Sequence, residues 1–247
     1  MCGRFSLTAS PEELVELFDL AELGAFPPRY NIAPTQPILT VGAGLDGSRN
    51  AILVRWGLLP HWVNDPDNFT LIINARSETA ATKASFKTAL RHRRVLIPAS
   101  GFYEWHRPDD KQLPKQPYWI RPSHSNTICF AGLVETWMGR DGTEIDTGCI
   151  LTTQSNAQIG NIHHRMPVVI KPEDFDRWLD CKTQEPKHVM DLMAPVEDGY
   201  FEAIAVGNAV NKVANTGADI QKPGKVEAQL AERQRKPDPD DGQMSLF

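Results

Sequence analysis

The chain has 247 residues, 41% hydrophobic and 23% charged, proportions typical of an ordinary globular protein with one large core. Its 26 basic and 31 acidic residues give a net charge of −5, which excludes a protein-wide positive field that would recruit nucleic acid over distance. The sequence lacks both an apolar run long enough to span a membrane and the residue order of a signal peptide, so we expect a cytoplasmic protein.

The first predicted element is a helix. Ser10 stands before Pro11 and two acidic residues, the pattern of an N-cap followed by a first helical turn, and we expect the helix to end near Gly24. The next segment, 26–37, carries four prolines. Because proline removes a backbone donor and breaks helices, this segment predicts an extended, ordered loop.

Strands dominate the rest of the chain. Apolar or alternating runs bounded by Gly, Pro and Asn predict strands at 38–41, 51–56, 94–97, 118–120, 127–133, 149–152, 166–170 and 202–206. Helices are expected at 81–91, 172–179 and 186–193. Since the two types do not alternate regularly, the pattern predicts an α+β domain with a mixed, mainly antiparallel sheet or barrel-like core flanked by helices.

The carboxyl-terminal part differs in composition. A charged segment at 225–235 predicts a short helix, and a Pro- and Asp-rich spacer follows at 237–242. Such a spacer cannot bury a core. We therefore predict one domain over 1–223 and a flexible tail over 224–247.

Four cysteines are present without CxxC spacing, which argues against a disulfide framework and a zinc site, and no metal or cofactor is expected. Cys2 is distinctive because it directly follows Met1. Removal of Met1 would leave an amine and a thiol on adjacent carbons, a 1,2-aminothiol. An α-amino pKa of about 7.7 to 8.0 and a thiol pKa of about 8.5 leave neutral amine and thiolate near pH 7.

An aminothiol supports two kinds of chemistry. It can condense with an aldehyde, the amine forming an imine that the thiolate closes to a thiazolidine. Alternatively, the thiolate attacks an amide while the amine serves as base, as in N-terminal nucleophile hydrolases. A cysteine that occurs at this position by chance and frays in solvent is the third alternative.

Polar residues also occur within strand-like surroundings. Asn74 and Arg76 follow an apolar run and share one face by period-2 alternation, and His163 and Arg165 are spaced in the same way before another strand. Glu104 lies between aromatic residues that would desolvate it and raise its pKa, as a general acid or base requires. Taken singly, each residue has a simpler interpretation that we prefer: Glu104 as an ion-pair carboxylate, His163 as a surface imidazole and Arg76 as a solvated charge. Taken together with Cys2, they supply a nucleophile, an acid or base, an imidazole and guanidinium groups that can bind phosphate.

Nine sequence blocks in order resemble the motif series of the SOS response-associated peptidase (SRAP) family. They are MCGRF (1–5), PRYNIAPTQ (28–36), RWGLLPHW (55–62), NARSET (74–79), IPASGFYEW (97–105), FAGLVETW (130–137), LTTQSN (151–156), IHHRMPVVI (162–170) and AVGNAVNKVANTG (205–217). Members of that family shield abasic sites in single-stranded DNA by a covalent DNA–protein crosslink, and many remove their own Met or propeptide. The resemblance extends from Cys2 to about Pro223.

The resemblance implies that Cys2 forms the crosslink and that Asn74, Glu104 and His163 complete the active site. The family pattern His-x-Arg-Met-Pro selects His163 and leaves His164 as the variable position. Glu104 is then the acid or base for sugar opening and dehydration, and it could also promote reopening of the thiazolidine.

DNA contacts are predicted for basic and aromatic side chains. The resemblance implies that Arg76 and Arg165 bind phosphates, Arg4 and Arg29 could extend the same strip, and the faces of Trp62 and Trp105 are candidates for base stacking. Core packing is the alternative for both tryptophans and the preferred interpretation of Trp56. The RHRR cluster at 91–94 is either a dipole-compensating surface cluster or a further phosphate contact.

The final pentapeptide QMSLF is similar to the Gln-x-(Ser/Asp)-Leu-Phe peptide that binds bacterial sliding clamps. Gln243 would supply polar register, and Leu246 and Phe247 would be two apolar anchors on a solvated arm. A random apolar terminus is the alternative. The expected partners are single-stranded DNA with abasic sites and the sliding clamp, and no membrane contact is expected. We expect a monomer that associates with the nucleoid after DNA damage.

Three functions remain open from the residues. The first is a protein that crosslinks to abasic sites, the second an N-terminal-nucleophile peptidase or amidase, and the third a non-covalent single-strand binding module. The third leaves Cys2 and Glu104 without a purpose. The aromatic residues and paired arginines argue against amide hydrolysis as the main activity.

Overall fold

A computed structural model describes residues 2–44, 46–108 and 113–226. The helices are α1 (Pro11–Phe18), α2 (Ser77–Ala80), α3 (Ala84–His92), α4 (Ala157–Gly160) and α5 (Phe175–Leu179). The strands are β1 (Phe5–Leu7), β2 (Arg29–Ile32), β3 (Pro37–Ala43), β4 (Arg49–Trp56), β5 (Asn74–Arg76), β6 (Arg94–Ala99), β7 (Gly101–His106), β8 (Gln116–Pro122), β9 (Ile128–Met138), β10 (Glu144–Gln154), β11 (Arg165–Pro167) and β12 (Phe201–Ala205).

The larger sheet closes on itself. Its strand order is β11-β10-β4-β3-β6-β9, and β9 also pairs with β10, so that β10, β4, β3, β6 and β9 form a ring. Strand β5 joins this sheet beside β10. Parallel pairing links β10 to β4 and β5, and the other pairs in this sheet are antiparallel. The predicted α+β class with a mixed, mainly antiparallel, barrel-like core is confirmed.

The smaller sheet holds the first residues of the chain. Its order is β12-β8-β7-β1-β2, with antiparallel pairing throughout. Strand β1 lies between β7 and β2, and the Tyr103 backbone N–H donates to the Arg4 carbonyl over 2.9 Å. Only Gly3 and Arg4 therefore separate Cys2 from a central strand.

Aromatic packing joins the two sheets. The Phe5 ring meets Trp56 edge-to-face at 5.1 Å and Phe130 at 6.0 Å, and Phe102 lies 6.1 Å from Phe130. All four side chains are buried, which confirms Trp56 as a core residue. Such pairs add about 0.5 to 1.5 kcal/mol each beyond area burial, so the core holds β1 firmly.

The first helix has the predicted start but an earlier end. Ser10 accepts from the Glu13 backbone N–H while the Glu13 carboxylate accepts from the Ser10 backbone N–H, a capping box. The helix ends at Phe18, where Asp19 takes φ +52°, so the expected end near Gly24 is wrong. An aspartate adopts this left-handed conformation more readily than most residues and can stop a helix without glycine.

The other predicted elements need adjustment. The helix predicted at 81–91 corresponds to α3, and the separate helix α2 lies before it. The helix predicted at 172–179 begins with a 3₁₀ turn that leads into α5, and the one predicted at 186–193 is instead two 3₁₀ turns. Most strands were predicted too short, and the 26–37 loop contains β2. Among the described helices, none is long and apolar enough to cross a membrane.

The RHRR cluster is partly internal. The Arg94 guanidinium is buried and donates to the carbonyls of Trp178, Leu90, Asp180 and Gln184 at 2.6–2.9 Å. Arg91 donates to the Cys181 carbonyl at 2.7 Å. The prediction of a wholly surface-exposed cluster is therefore wrong, because these two arginines join the end of α3 to the segment after α5.

Candidate active site

Cys2 is fully buried beside the start of β5. Its exposed fraction is 0%, and its thiol donates a long 3.9 Å hydrogen bond to the Arg4 carbonyl. The Asn74 side chain donates from Nδ2 to the Cys2 carbonyl over 2.8 Å. The structure thus brings together two predicted site residues that are 72 positions apart in the chain.

Asn74 also presents an unused acceptor. Its Oδ1 atom is buried and has no hydrogen-bond partner among the described residues. A buried carbonyl oxygen without a partner costs about 1 to 3 kcal/mol, so it favours a ligand group that donates to it. The Asn74 amide can hold the Cys2 backbone with one end and receive an N–H or O–H donor with the other.

Glu104 lies on β7 with only 3% of its surface exposed. Burial raises the pKa of its carboxyl above the usual range, which favours the neutral acid. Burial also raises the pKa of the Cys2 thiol, and the nearby Glu104 carboxylate raises it further. The carboxyl and thiol are thus electrostatically coupled, and both shifts favour the protonated forms.

His163 approaches Glu104 from the segment before β11. Its Nδ1 lies 4.0 Å from Glu104 Oε1, and its ring stacks on His164 with centroids 4.5 Å apart. Nδ1 also lies 3.0 Å from the Arg165 backbone N–H, which can donate to it. Burial lowers the pKa of His163, so its neutral form predominates at pH 7.

A cavity of about 610 Å³ opens beside these groups, and its lining includes Glu104, Trp105, His163 and His164. Two exposed cations on its wall, Arg107 and Lys115, were not predicted from the sequence. The sequence signal for Arg107 was its position, two residues after the IPASGFYEW block. The cavity combines acid–base groups with positive charge, which suits an anionic substrate.

The predicted phosphate-binding arginines occupy different environments. Arg76 is exposed, and its guanidinium has no ion pair or side-chain hydrogen bond in the described part of the chain. Arg4 is half-buried and donates from one nitrogen to Asn31 and to the Val210 carbonyl, at 2.7 and 2.8 Å. Arg29 donates to Gln36 at 2.7 Å and to the Pro37 carbonyl. Arg76 is thus the most available of these three cations.

Arg165 is held inside the protein. Its guanidinium forms a two-pronged ion pair with Glu78 on α2, with N–O distances of 2.6 and 3.0 Å, and also donates to the Thr152 carbonyl at 2.5 Å. The Arg165 side chain is 8% exposed and that of Glu78 is 43% exposed. Sequence reasoning did not single out Glu78, although it lies in the NARSET block two positions after Arg76.

The two tryptophans predicted to stack on bases are both accessible. Trp62 is 47% exposed and meets Phe69 edge-to-face at 5.8 Å. Trp105 is half-buried on the cavity wall, with its indole N–H donating to Asn211 at 2.7 Å. The tail residues Gln243, Leu246 and Phe247 lie outside the described residues, as does most of the predicted 225–235 helix.

Comparison with known families agrees with the motif series. The family model described as SOS response associated peptidase (SRAP) matches residues 1–213. The chain belongs to the SRAP family. The matched residues include Cys2, Asn74, Glu104 and His163.

Three relatives illustrate the range of this SRAP chain. It is 38% identical to the abasic site processing protein YoqW of Bacillus subtilis, covering 89% of this chain and 98% of that protein. It is 32% identical to the abasic site processing protein YedK of Escherichia coli, over 90% and 100%. Identity with the abasic site processing protein HMCES of Xenopus tropicalis is 27%, over 89% and 78%.

Solved structures share the fold. A protein from Bacteroides thetaiotaomicron superposes with a TM-score of 0.79 at 22% identity, covering 90% of this chain and 100% of that one. A phage-related protein from Bordetella bronchiseptica gives a TM-score of 0.66 at 31% identity, over 83% and 94%.

Proposed function

We propose that this protein processes abasic sites in single-stranded DNA by linking Cys2 covalently to the sugar aldehyde. The observation that carries the proposal is that Cys2, held by Asn74, is electrostatically coupled to Glu104, which lines a cation-lined cavity together with His163. The relatives named abasic site processing proteins supply the substrate class.

The first step frees the amine. Cys2 follows Met1, so its nitrogen is an amide until Met1 is removed, and we propose that the protein removes this residue itself. The new amine then attacks C1′ of the opened sugar as a neutral nucleophile. The Asn74 Oδ1 acceptor is suited to hold an N–H of that amine, because it is buried and lacks another partner in the described structure.

Sugar opening and dehydration need proton transfer. Neutral His163 can donate a hydrogen bond from Nε2 to the ring oxygen. Glu104, whose protonated form is favoured because burial raises its pKa, protonates the carbinolamine hydroxyl. Water leaves and an iminium forms.

The thiol completes the ring. The Glu104 carboxylate takes the thiol proton, and the sulfur adds to the iminium carbon to give a neutral thiazolidine. Glu104 returns to its starting protonation state, and the net reaction is aldehyde plus aminothiol to thiazolidine plus water. The same carboxyl can catalyse each step in reverse.

The decisive experiment uses single-stranded DNA with one abasic site. On a denaturing gel we expect a heat-stable shifted band with the wild type and with Cys181→Ala, a matched change of a partly exposed cysteine, but not with Cys2→Ala. Peptide or amide hydrolysis without a shifted band would instead support the peptidase. Binding confined to native gels would support a non-covalent module.

Removal of Met1 has its own test. Intact-mass measurement of the wild type should give the mass of the chain without Met1. Self-removal predicts that Cys2→Ala retains Met1 during incubation in purified form. If purified wild type retains Met1 and still crosslinks, the aminothiol mechanism is wrong.

We propose that the tail delivers the protein to the DNA polymerase sliding clamp. Gln243, Leu246 and Phe247 match the clamp peptide, and the acidic spacer before them favours a solvated arm. Pull-down by the clamp should be lost both on deletion of 243–247 and in the double variant Leu246→Ala/Phe247→Ala. Undiminished pull-down would contradict the proposal, whereas the abasic-site crosslink should form equally well in all three proteins.

A further inference from the structure

Glu78 links two parts of the candidate active site. It lies on α2, which directly follows the β5 strand that begins with Asn74, and its carboxylate binds Arg165 at the start of β11. Strand β10 lies between β5 and β11 and pairs with both. The ion pair therefore spans the strand that separates Asn74 from His163.

Arg165 transmits this link to His163 through its backbone. The same residue that binds Glu78 with its guanidinium donates its backbone N–H to His163 Nδ1 over 3.0 Å. Nδ1 also lies 3.2 Å from the Arg165 carbonyl, a contact that would need hydrogen on Nδ1, but the backbone N–H is the closer partner and directs its own hydrogen at Nδ1. Because a nitrogen that accepts a hydrogen bond carries no hydrogen, this geometry favours a neutral ring with its hydrogen on Nε2. Any displacement of Arg165 would remove the contact that selects this tautomer.

The guanidinium has few alternative positions. It is almost fully buried, and besides Glu78 it contacts both the carbonyl and the hydroxyl of Thr152 on β10, at 2.5 and 3.3 Å. Removing the Glu78 charge would leave a buried cation without its carboxylate. An uncompensated buried charge is strongly destabilised, and any shift of Arg165 that relieves it disturbs the backbone contact with His163.

We propose that Glu78 is a positioning residue that, through Arg165, keeps His163 in the tautomer with hydrogen on Nε2. The proposal rests on the proposed function for its catalytic consequence, since only that tautomer can donate a hydrogen bond from Nε2 to the sugar ring oxygen. Its structural part, the state of His163, can be measured without any DNA.

Other charges around His163 enter the test. Glu104 and Arg107 approach from β7 and the segment after it, His164 stacks on the ring, and Arg165 follows on β11. Glu78→Gln changes the chemistry of none of these four side chains and removes only the ion pair that holds Arg165. A change in the His163 tautomer in this variant can therefore be assigned to the lost ion pair.

The first measurement is long-range proton–nitrogen NMR of the imidazoles in the full-length protein. We expect one neutral His163 tautomer, with hydrogen on Nε2, in the wild type and in Glu197→Gln, a matched change in the exposed ion pair with Lys171. Glu78→Gln should show a mixture of both tautomers, and Glu78→Asp, which keeps the charge, should restore most of the wild-type signal. A wild-type tautomer in Glu78→Gln would overturn the proposal.

The second measurement is a double-mutant cycle on the crosslinking rate. Glu78→Gln should slow the reaction about tenfold in the wild-type background and less than about twofold in the His163→Ala background, because residues that act together are not additive. Equal losses in both backgrounds would assign Glu78 a general structural role and overturn the proposal. Absence of any wild-type crosslink would contradict the proposed function instead, and the NMR result would still decide the role of Glu78.

Discussion

At the scale of single residues, the coupling of Cys2 to Glu104 governs thiol reactivity. The carboxylate raises the pKa of the thiol, so Glu104→Gln should lower that pKa and increase the thiolate fraction. We expect Cys2 in this variant to react with iodoacetamide about three to ten times faster at pH 8, while the crosslinking rate falls.

The control for this experiment is Glu144→Gln, an exposed glutamate at the start of β10. It should leave the alkylation rate of Cys2 unchanged, as measured by mass spectrometry of the N-terminal peptide. If Glu104→Gln reacts no faster than this control, the electrostatic coupling between carboxyl and thiol is wrong.

Glu104 also makes stability depend on pH. Because its pKa in the folded protein is raised above the ordinary value of 4.5, the folded state binds more protons than the unfolded state in the interval between the two pKa values. The contribution of Glu104 is therefore present below pH 4.5 and is lost as pH rises through the raised pKa.

Thermal unfolding of the wild type and Glu104→Gln over pH 4 to 8 measures this contribution. The Tm of the wild type should fall relative to that of the variant as pH rises, because Gln has no proton to lose. A constant difference between the two Tm values over the whole range would show that the carboxyl titrates normally.

At the scale of elements, Arg94 joins α3 to the segment that follows α5. It supplies four carbonyl groups with donors, and a lysine ammonium cannot reproduce that fork. We expect Arg94→Lys to destabilise the fold by about 3 kcal/mol, since each buried carbonyl without a partner costs about 1 to 3 kcal/mol. For a chain of this size the Tm should fall by about 6 to 12 °C.

Arg93→Lys provides the comparison, because Arg93 is more exposed and pairs with Glu135. It should change the Tm by much less. Affinity for single-stranded DNA should be the same in Arg94→Lys as in the wild type at a temperature where both are folded. A selective loss of DNA binding in Arg94→Lys would instead indicate that Arg94 contacts DNA phosphates.

Elements differ in how far the sequence predicts them. Strands β3, β4, β6 and β9 were found because their apolar runs are bounded by turn residues. Strand β1 is only three residues long, and β2 lies inside a Pro-rich segment, so neither has a pattern that local rules detect. Strand β7 contains the buried Glu104, a charge that interrupts the apolar signal.

The sequence likewise predicts the identity of the active-site residues but not their arrangement. Residue types and the motif blocks identified Asn74, Glu104 and His163, but their proximity depends on β5, β7 and β11, which are far apart in the chain. Period-2 spacing placed His163 and Arg165 together and could not reveal that Arg165 points to Glu78, 87 positions away. Long-range ion pairs of this kind have no local sequence signal.

At the scale of the whole molecule, the net charge of −5 leaves DNA binding to a few local cations. Arg76 is exposed and without a described partner, so we expect Arg76→Ala to weaken binding to single strands and to reduce the salt slope by about 0.7, the value for one phosphate. Fluorescence anisotropy at several salt concentrations measures both effects.

Arg165→Ala separates the two roles of that residue. If Arg165 contacts phosphate, as predicted from the motif, the salt dependence of DNA affinity should be weaker in Arg165→Ala than in the wild type, as in Arg76→Ala. If it acts through His163 alone, the slope should match the wild type while crosslinking slows. Unchanged slopes in both variants would contradict phosphate contact by either arginine.

The attachment of Cys2 sets a limit on where the reaction can occur. Only Gly3 and Arg4 separate it from β1, and a fully extended chain covers about 3.5 Å per residue, so the reactive group has a tether of about 10 Å. Under the proposed function, Cys2 therefore cannot reach far along the DNA. A damaged sugar would have to leave the path of its strand to meet the thiol, and base pairing on both sides of that sugar would oppose the movement.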